Sequence, residues 1–217
     1  MTVRVALVDY GAGNLASVRK ALRACGAEVF SPATPADLAG VRAVIVPGVG
    51  HFAATRSLDA AWRSEIEARL ADGAALLGIC LGMQWLFEGS DEAPECPGLG
   101  VLPGRCSLLV AGGEGREGHK VPHVGWNDLA VARASVLLDG IASGAQAYFT
   151  HSYAAPVTGD CVAETTHGVT FASAVERNRV FGTQFHPEKS GDVGLRVMRN
   201  FIEVAWRPWH GASGAGS

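Results

Sequence analysis

The sequence has no CxxC cysteine pair, no apolar run of membrane-spanning length and no strongly basic stretch, and each absence removes a class of function. The five cysteines (Cys25, Cys80, Cys96, Cys106 and Cys161) are scattered and odd in number, which argues against a disulfide framework in a chain of 217 residues. Zinc ligation would need a paired spacing that is missing, so no metal and no cofactor are expected. No stretch reaches the roughly 18 apolar residues of a transmembrane helix. Residues 1–9 lack the charged-then-apolar layout of a signal peptide. A formal charge of −3 with 18% charged residues describes an ordinary surface, with neither nucleic acid nor membrane as a partner. A reducing, cytoplasmic setting fits this composition and leaves any one cysteine free to do chemistry.

With 48% hydrophobic residues and neither repeat nor linker, residues 1–206 read as one domain and 207–217 as a flexible tail. The first half alternates apolar runs with helical patterns. Residues 3–8, 27–30, 43–46 and 74–79 read as strands buried on both faces. Between them, Leu15, Val18, Leu22 and Cys25 form one helical stripe, and Trp62, Ile66 and Leu70 another; Gly26 and Gly73 close the two helices. Such alternation predicts an α/β fold with a mostly parallel central sheet flanked by helices. The second half reads as shorter strands at 106–110, 123–129, 147–153, 161–166 and 171–185, some of them antiparallel, before a final helix over 191–205. The glycine-rich stretch 112–118 reads as a surface loop.

The strand at 74–79 runs directly into Gly78-Ile79-Cys80-Leu81-Gly82, followed by a helix-forming run over 83–88. This strand–G-x-nucleophile-x-G–helix order is that of a nucleophile elbow. Glycines two residues either side let neighbouring backbone approach, and oriented amides at the helix start favour a thiolate. The other four cysteines lack that setting and read as small buried hydrophobes. Downstream, an extended segment ends in His186-Pro187-Glu188. Residues i and i+2 of an extended chain share a side, so Glu188 can hold one imidazole nitrogen while the other faces a nucleophile. No other histidine has comparable pairing: His167 and His210 read as surface residues and His151 as structural. Pro47-Gly48-Val49-Gly50 follows a strand placed beside the elbow. The Val49 backbone N–H, with Gly48 and Gly50 keeping side chains out of the way, and the Leu81 N–H could form an oxyanion site.

These residues resemble the triad-type (class I) glutamine amidotransferase family, over roughly residues 3–205. Gly78 to Gln84 is similar to its nucleophile motif and Gln184 to Glu188 to its base motif. The resemblance implies a glutaminase reaction through a γ-glutamyl thioester on Cys80. It also implies substrate contacts at Gln84 and the Ser152 and Tyr153 backbone for the α-carboxylate of L-glutamine, and at Glu92 for its α-ammonium. Asp9 to Leu15, Val121 to Asn127 and Tyr148 to Tyr153 further resemble the glutaminase subunits of imidazole glycerol phosphate synthases. That branch implies a heterodimer with a (βα)₈ cyclase subunit, fed with ammonia through a tunnel. Asn14, Trp126, Tyr148 and Lys189 would then lie at or near the contact, and turning of the Gly48–Val49 peptide would switch activity on. The 112–118 loop is longer than the family needs. Other readings stay open: a glutaminase serving a different synthase, a free γ-glutamyl hydrolase, an idle scaffold subunit, or a cysteine protease, although the usual protease signature around the cysteine is absent.

Overall fold

The computed structural model describes residues 2–110 and 120–207. The 112–118 stretch, His119, His210 and the tail from 208 onward lie outside the described residues. In chain order the elements are β1 Arg4–Leu7, α1 Leu15–Ala24, β2 Glu28–Phe30, β3 Ala43–Gly48, α2 Ala60–Ala71, β4 Ala75–Cys80, α3 Leu81–Leu86, β5 Gly89–Ser90, β6 Arg105–Leu108, β7 His123–Val131, β8 Ala145–His151, β9 Tyr153–Ala154, β10 Cys161–His167, β11 Val169–Arg177, β12 Val180–Thr183 and α4 Gly191–Trp206. Short 3-10 turns occupy Pro35–Leu38, Phe52–Ser57 and Pro187–Lys189.

The main sheet has the strand order β2-β1-β3-β4-β12-β11-β10-β7-β8, and β5, β6 and β9 form a small second sheet. From β2 to β12 the neighbours are parallel; from β12 to β8 they are antiparallel. The central parallel strands β3 and β4 are apolar and fully buried because helices cover both their faces. Val5, Leu7, Ile45, Leu77 and Ile79 pack with Val18 and Leu22 of α1 and Val197, Met198 and Phe201 of α4. Ala6, Val8, Val44, Val46 and Leu76 pack on the other side with Ile66 of α2 and Trp85 and Leu86 of α3. Among the described residues no helix is long and apolar enough to cross a membrane.

Local chemistry sets the helix ends. The Asn14 side chain accepts from Ser17 N–H at 3.3 Å, and Asp59 accepts from Ala61 and Trp62 N–H at 3.0 and 3.1 Å. Such caps contribute about 1 kcal/mol each. Gly26 and Gly73 leave α1 and α2 at φ 86° and 82°, a region where a Cβ would be strained.

Several boundaries differ from the sequence reading. The run at 147–153 divides into β8, ending at His151, and β9, which joins the second sheet. β3 continues to Gly48, because ladder pairing with β4 extends to Gly48 opposite Cys80. α3 covers 81–86 rather than 83–88, since the chain turns helical immediately after Cys80. The run 171–185 is a hairpin of β11 and β12, reversed at Asn178 with φ 54°. β12 stops at Thr183, and Pro187 opens a 3-10 turn instead of prolonging the strand. Together, β3, β4 and β12 bring Gly48, Cys80 and the segment leading to His186 to the same carboxyl edge of the sheet, where open α/β sheets bind ligands.

Candidate active site

Cys80 sits at φ 53°, ψ −105°, between the last residue pair of β4 and the first turn of α3. A non-glycine residue held there costs on the order of 1–3 kcal/mol and persists only where the surroundings overdetermine it. The surroundings are backbone. A Cβ on Gly82 would lie 1.7 Å from the Val46 carbonyl oxygen, and one on Gly78 would lie 2.5 Å from that of Gly82. The two glycines therefore let the elbow close against β3 and against itself. A Cβ on Gly48 would fall 2.0 Å from the Tyr10 hydroxyl, which is buried without a hydrogen-bond partner. Val49, next along, is 37% exposed, and Gly50 takes φ 102°.

His186 is held in extended geometry (φ −97°, ψ 97°), and its Nδ1 lies 2.8 Å from Glu188 Oε1. Both side chains are almost wholly buried. Burial is the largest single influence on the imidazole and opposes its charge. Hydrogen-bond and charge interactions with Cys80 and Glu188 together outweigh it and raise the pKa from 6.5 to about 9. Nε2 is buried and makes no hydrogen bond of good geometry, as is common in unliganded sites. Ser190 anchors the base: its hydroxyl donates to the His186 carbonyl at 2.7 Å and accepts from Tyr148 N–H at 2.9 Å.

Cys80 opens into a cleft of about 250 Å³ lined by Gly50, Leu81, Gln84, Glu92, Ser152 and Tyr153. All four residues expected to contact substrate thus share one wall system with the sulfur. Gln84 Nε2 donates to the Tyr153 carbonyl at 2.8 Å and to Gln184 Oε1 at 3.2 Å. Glu92 Oε2 accepts from Phe52 N–H at 2.7 Å, tying the loop after Gly50 to the cleft. A larger hollow of about 450 Å³ near Ser135, Glu176 and Asn200 shares no residue with this cleft and contains no cysteine or histidine.

Several residues at the cleft were given no role there by the sequence. Pro122, Thr150 and His151 also line it, and buried Gln184 directs Nε2 at Cys80 Sγ across 3.6 Å. His151, read as structural, lies with its Nε2 3.0 Å from His123 Nδ1. Burial, more than any neighbour, drives its pKa down to about 3. His167, read as a surface residue, is half-buried and stacks on His123 with centroids 4.1 Å apart. Only the register of the antiparallel strands assembles these rings. The remaining cysteines are unlike Cys80: burial pushes the Cys106 thiol far up and Cys161 to about 11, and raises Cys25 as well.

Of the four residues expected at a subunit contact, three cluster. Trp126 is 56% exposed and meets the Tyr148 ring edge-on with centroids 6.1 Å apart. Lys189 Nζ lies 5.6 Å over the same Tyr148 ring. Asn14 is exposed at the head of α1, which packs against the Pro187–Lys189 turn.

The family model for class-I glutamine amidotransferases matches residues 6–204. A relative from Natronomonas pharaonis, imidazole glycerol phosphate synthase subunit HisH, is 44% identical over 211 residues, covering 93% of this chain and 95% of its own. The HisH subunit of Methanothermobacter thermautotrophicus is 41% identical over 201 residues, covering 92% and 98%. A crystal structure of a glutamine amidotransferase superimposes with a TM-score of 0.71 at 25% identity, covering 93% and 98%. The chain belongs to the class-I glutamine amidotransferase family, in the branch of the HisH subunits of imidazole glycerol phosphate synthase.

Proposed function

We propose that this chain hydrolyses L-glutamine and supplies the ammonia to a (βα)₈ cyclase subunit, which forms imidazole glycerol phosphate and AICAR in histidine biosynthesis. The Cys80 sulfur attacks the side-chain carboxamide carbon. The oxygen, now anionic, is received by the backbone N–H groups of Val49 and Leu81, a contribution on the order of 10²–10³ in rate per donor. His186 gives its proton to the departing nitrogen, and ammonia leaves a γ-glutamyl thioester on Cys80. Water, deprotonated by the now neutral His186, attacks the thioester; glutamate departs and the thiol is restored. Glu188 holds Nδ1 throughout, so that Nε2 alone exchanges protons.

Gln84 and the Ser152–Tyr153 backbone hold the α-carboxylate of glutamine, and Glu92 receives its α-ammonium. Trp126, Tyr148, Lys189 and Asn14 face the cyclase in a heterodimer. Five free cysteines fit a cytoplasmic location. The observation that carries this reading is the strained Cys80 opening onto the Gln84–Glu92–Ser152–Tyr153 cleft beside a buried, charge-stabilised imidazole–carboxylate pair.

Glutamate release is measured with the chain alone, with the cyclase subunit, and with the cyclase subunit plus its nucleotide-like substrate. The expected outcome is strong stimulation in the last mixture and none with Cys80→Ala. Equal release by Cys80→Ala and the unaltered chain would sink the reading.

A further inference from the structure

A second buried polar chain runs behind the cleft, and its direction can be worked out atom by atom. Asn127 on β7 sets it. Its Oδ1 accepts from Asp128 N–H at 2.8 Å, so its amide nitrogen is the atom facing the Thr166 carbonyl at 3.1 Å and His123 Nε2 at 3.2 Å. An amide nitrogen only donates, so His123 Nε2 carries a lone pair and the ring proton lies on Nδ1. That Nδ1 stands 3.0 Å from His151 Nε2, its cross-strand neighbour on β8. On His151, Nδ1 faces the Tyr153 carbonyl at 2.9 Å, an acceptor only, so the proton sits there and Nε2 accepts from His123. Among the described residues, each ring receives one hydrogen bond and gives one. Reversing either ring would set two protons or two lone pairs face to face.

Both rings are buried, at 3% and 7% exposure, so an unpaired face would be costly. A second positive charge at His151 would also oppose the imidazolium of His186. The chain ends on the cleft wall. The Tyr153 carbonyl takes its other donor from Gln84 Nε2 at 2.8 Å, while Leu109 N–H fixes the Ser152 carbonyl at 2.8 Å. The peptides on both sides of Tyr153 are thus held, and because each is planar and trans the Tyr153 N–H is held with them.

We propose that His151, backed by His123 and Asn127, is a positioning residue that locks the Ser152–Tyr153 segment in the orientation that receives the α-carboxylate of glutamine. This rests on the glutaminase reading and extends it. The rings act as a one-way, uncharged strut from β7 to the pocket.

Two readouts test it separately. In ¹⁵N spectra of the free chain at pH 7, His123 and His151 are both expected to be neutral with the proton on Nδ1. A cationic ring, or an Nε2–H form of either, would overturn the proposal whether or not the chain hydrolyses glutamine. In the complex with the cyclase subunit, His151→Leu and His123→Phe are expected to raise KM for glutamine about tenfold, with kcat within about threefold and Cys80 alkylation by iodoacetamide unchanged. His123→Gln, which can both accept and donate, is expected to recover most of the loss. Should the buried variants unfold, Asn127→Leu at the half-buried end is expected to raise KM about threefold. An unchanged KM, or a parallel fall of kcat, alkylation rate and melting temperature, would refute the positioning role. If the unaltered complex releases no glutamate at all, the glutaminase reading fails instead, and the spectra still decide the state of the rings.

Discussion

The two halves of the sheet hold their parts of the site by different means. On the parallel side, β3, β4 and β12 place the nucleophile by backbone packing: carbonyls press where Gly78 and Gly82 lack side chains, and Cys80 is forced to positive φ. On the antiparallel side, β7 and β8 place the pocket wall by side-chain hydrogen bonds. The central one joins His123 and His151, 28 positions apart in sequence, with shorter-range bonds to Asn127 and the Tyr153 carbonyl at its ends. A position set by close backbone contact tolerates no added atom. One set by hydrogen bonds tolerates shape changes but not a lost donor.

The largest expected effect falls on the parallel side. Val49→Pro removes the proposed oxyanion donor, and kcat in the stimulated complex should fall about 10²–10³-fold with little change in KM. Unaltered kcat would leave the oxyanion role to Leu81 alone. Gly48→Ala is a poorer probe, because its Cβ would strike the Tyr10 hydroxyl.

Gly82→Ala is expected to destabilise the fold by about 3 kcal/mol in urea unfolding, since the Val46 carbonyl cannot move without disturbing the β3–β4 ladder. A stable variant would mean that the elbow is less tightly built than its contacts imply.

Glu188→Gln tests the join between the halves. The carboxylate helps to raise the His186 pKa to about 9, so the protonated ring persists up to that pH and activity should decline only as pH rises through it. Without the carboxylate the folded-state pKa falls, and the alkaline limb of the kcat profile should move to lower pH, with kcat reduced about a hundredfold. An unmoved limb would assign the shift to Cys80 alone.

Smallest is Trp126→Ala, on the exposed face of the antiparallel ribbon. It is expected to weaken cyclase binding about tenfold by calorimetry while leaving the melting temperature unchanged.

Much of this was legible in local sequence. The apolar runs of β1, β3 and β4, the caps at Asn14 and Asp59, and the glycine-flanked Cys80 depend on neighbours within a few residues, so the motif contains its own physical cause. The pairing of His186 with Glu188 was legible too, although a 3-10 turn opened by Pro187 brings it about rather than a continued strand.

Gln184, His123 and His151 stand inside motifs the resemblance marked, but what they touch was not legible in this way, nor was Ser190. Most of their partners come from elements distant in sequence (Gln84 and Cys80 for Gln184, Tyr148 for Ser190), and nothing in the spacing of a histidine announces which ring will stand opposite it. Strand register alone sets His123 across from His151 and leaves each ring a single workable tautomer. By itself, then, the sequence determined the α/β alternation and the nucleophile's turn, because backbone sterics act over a few bonds. The tertiary structure decided which polar groups meet behind the cleft, because hydrogen bonds between buried side chains exist only once the sheet has closed.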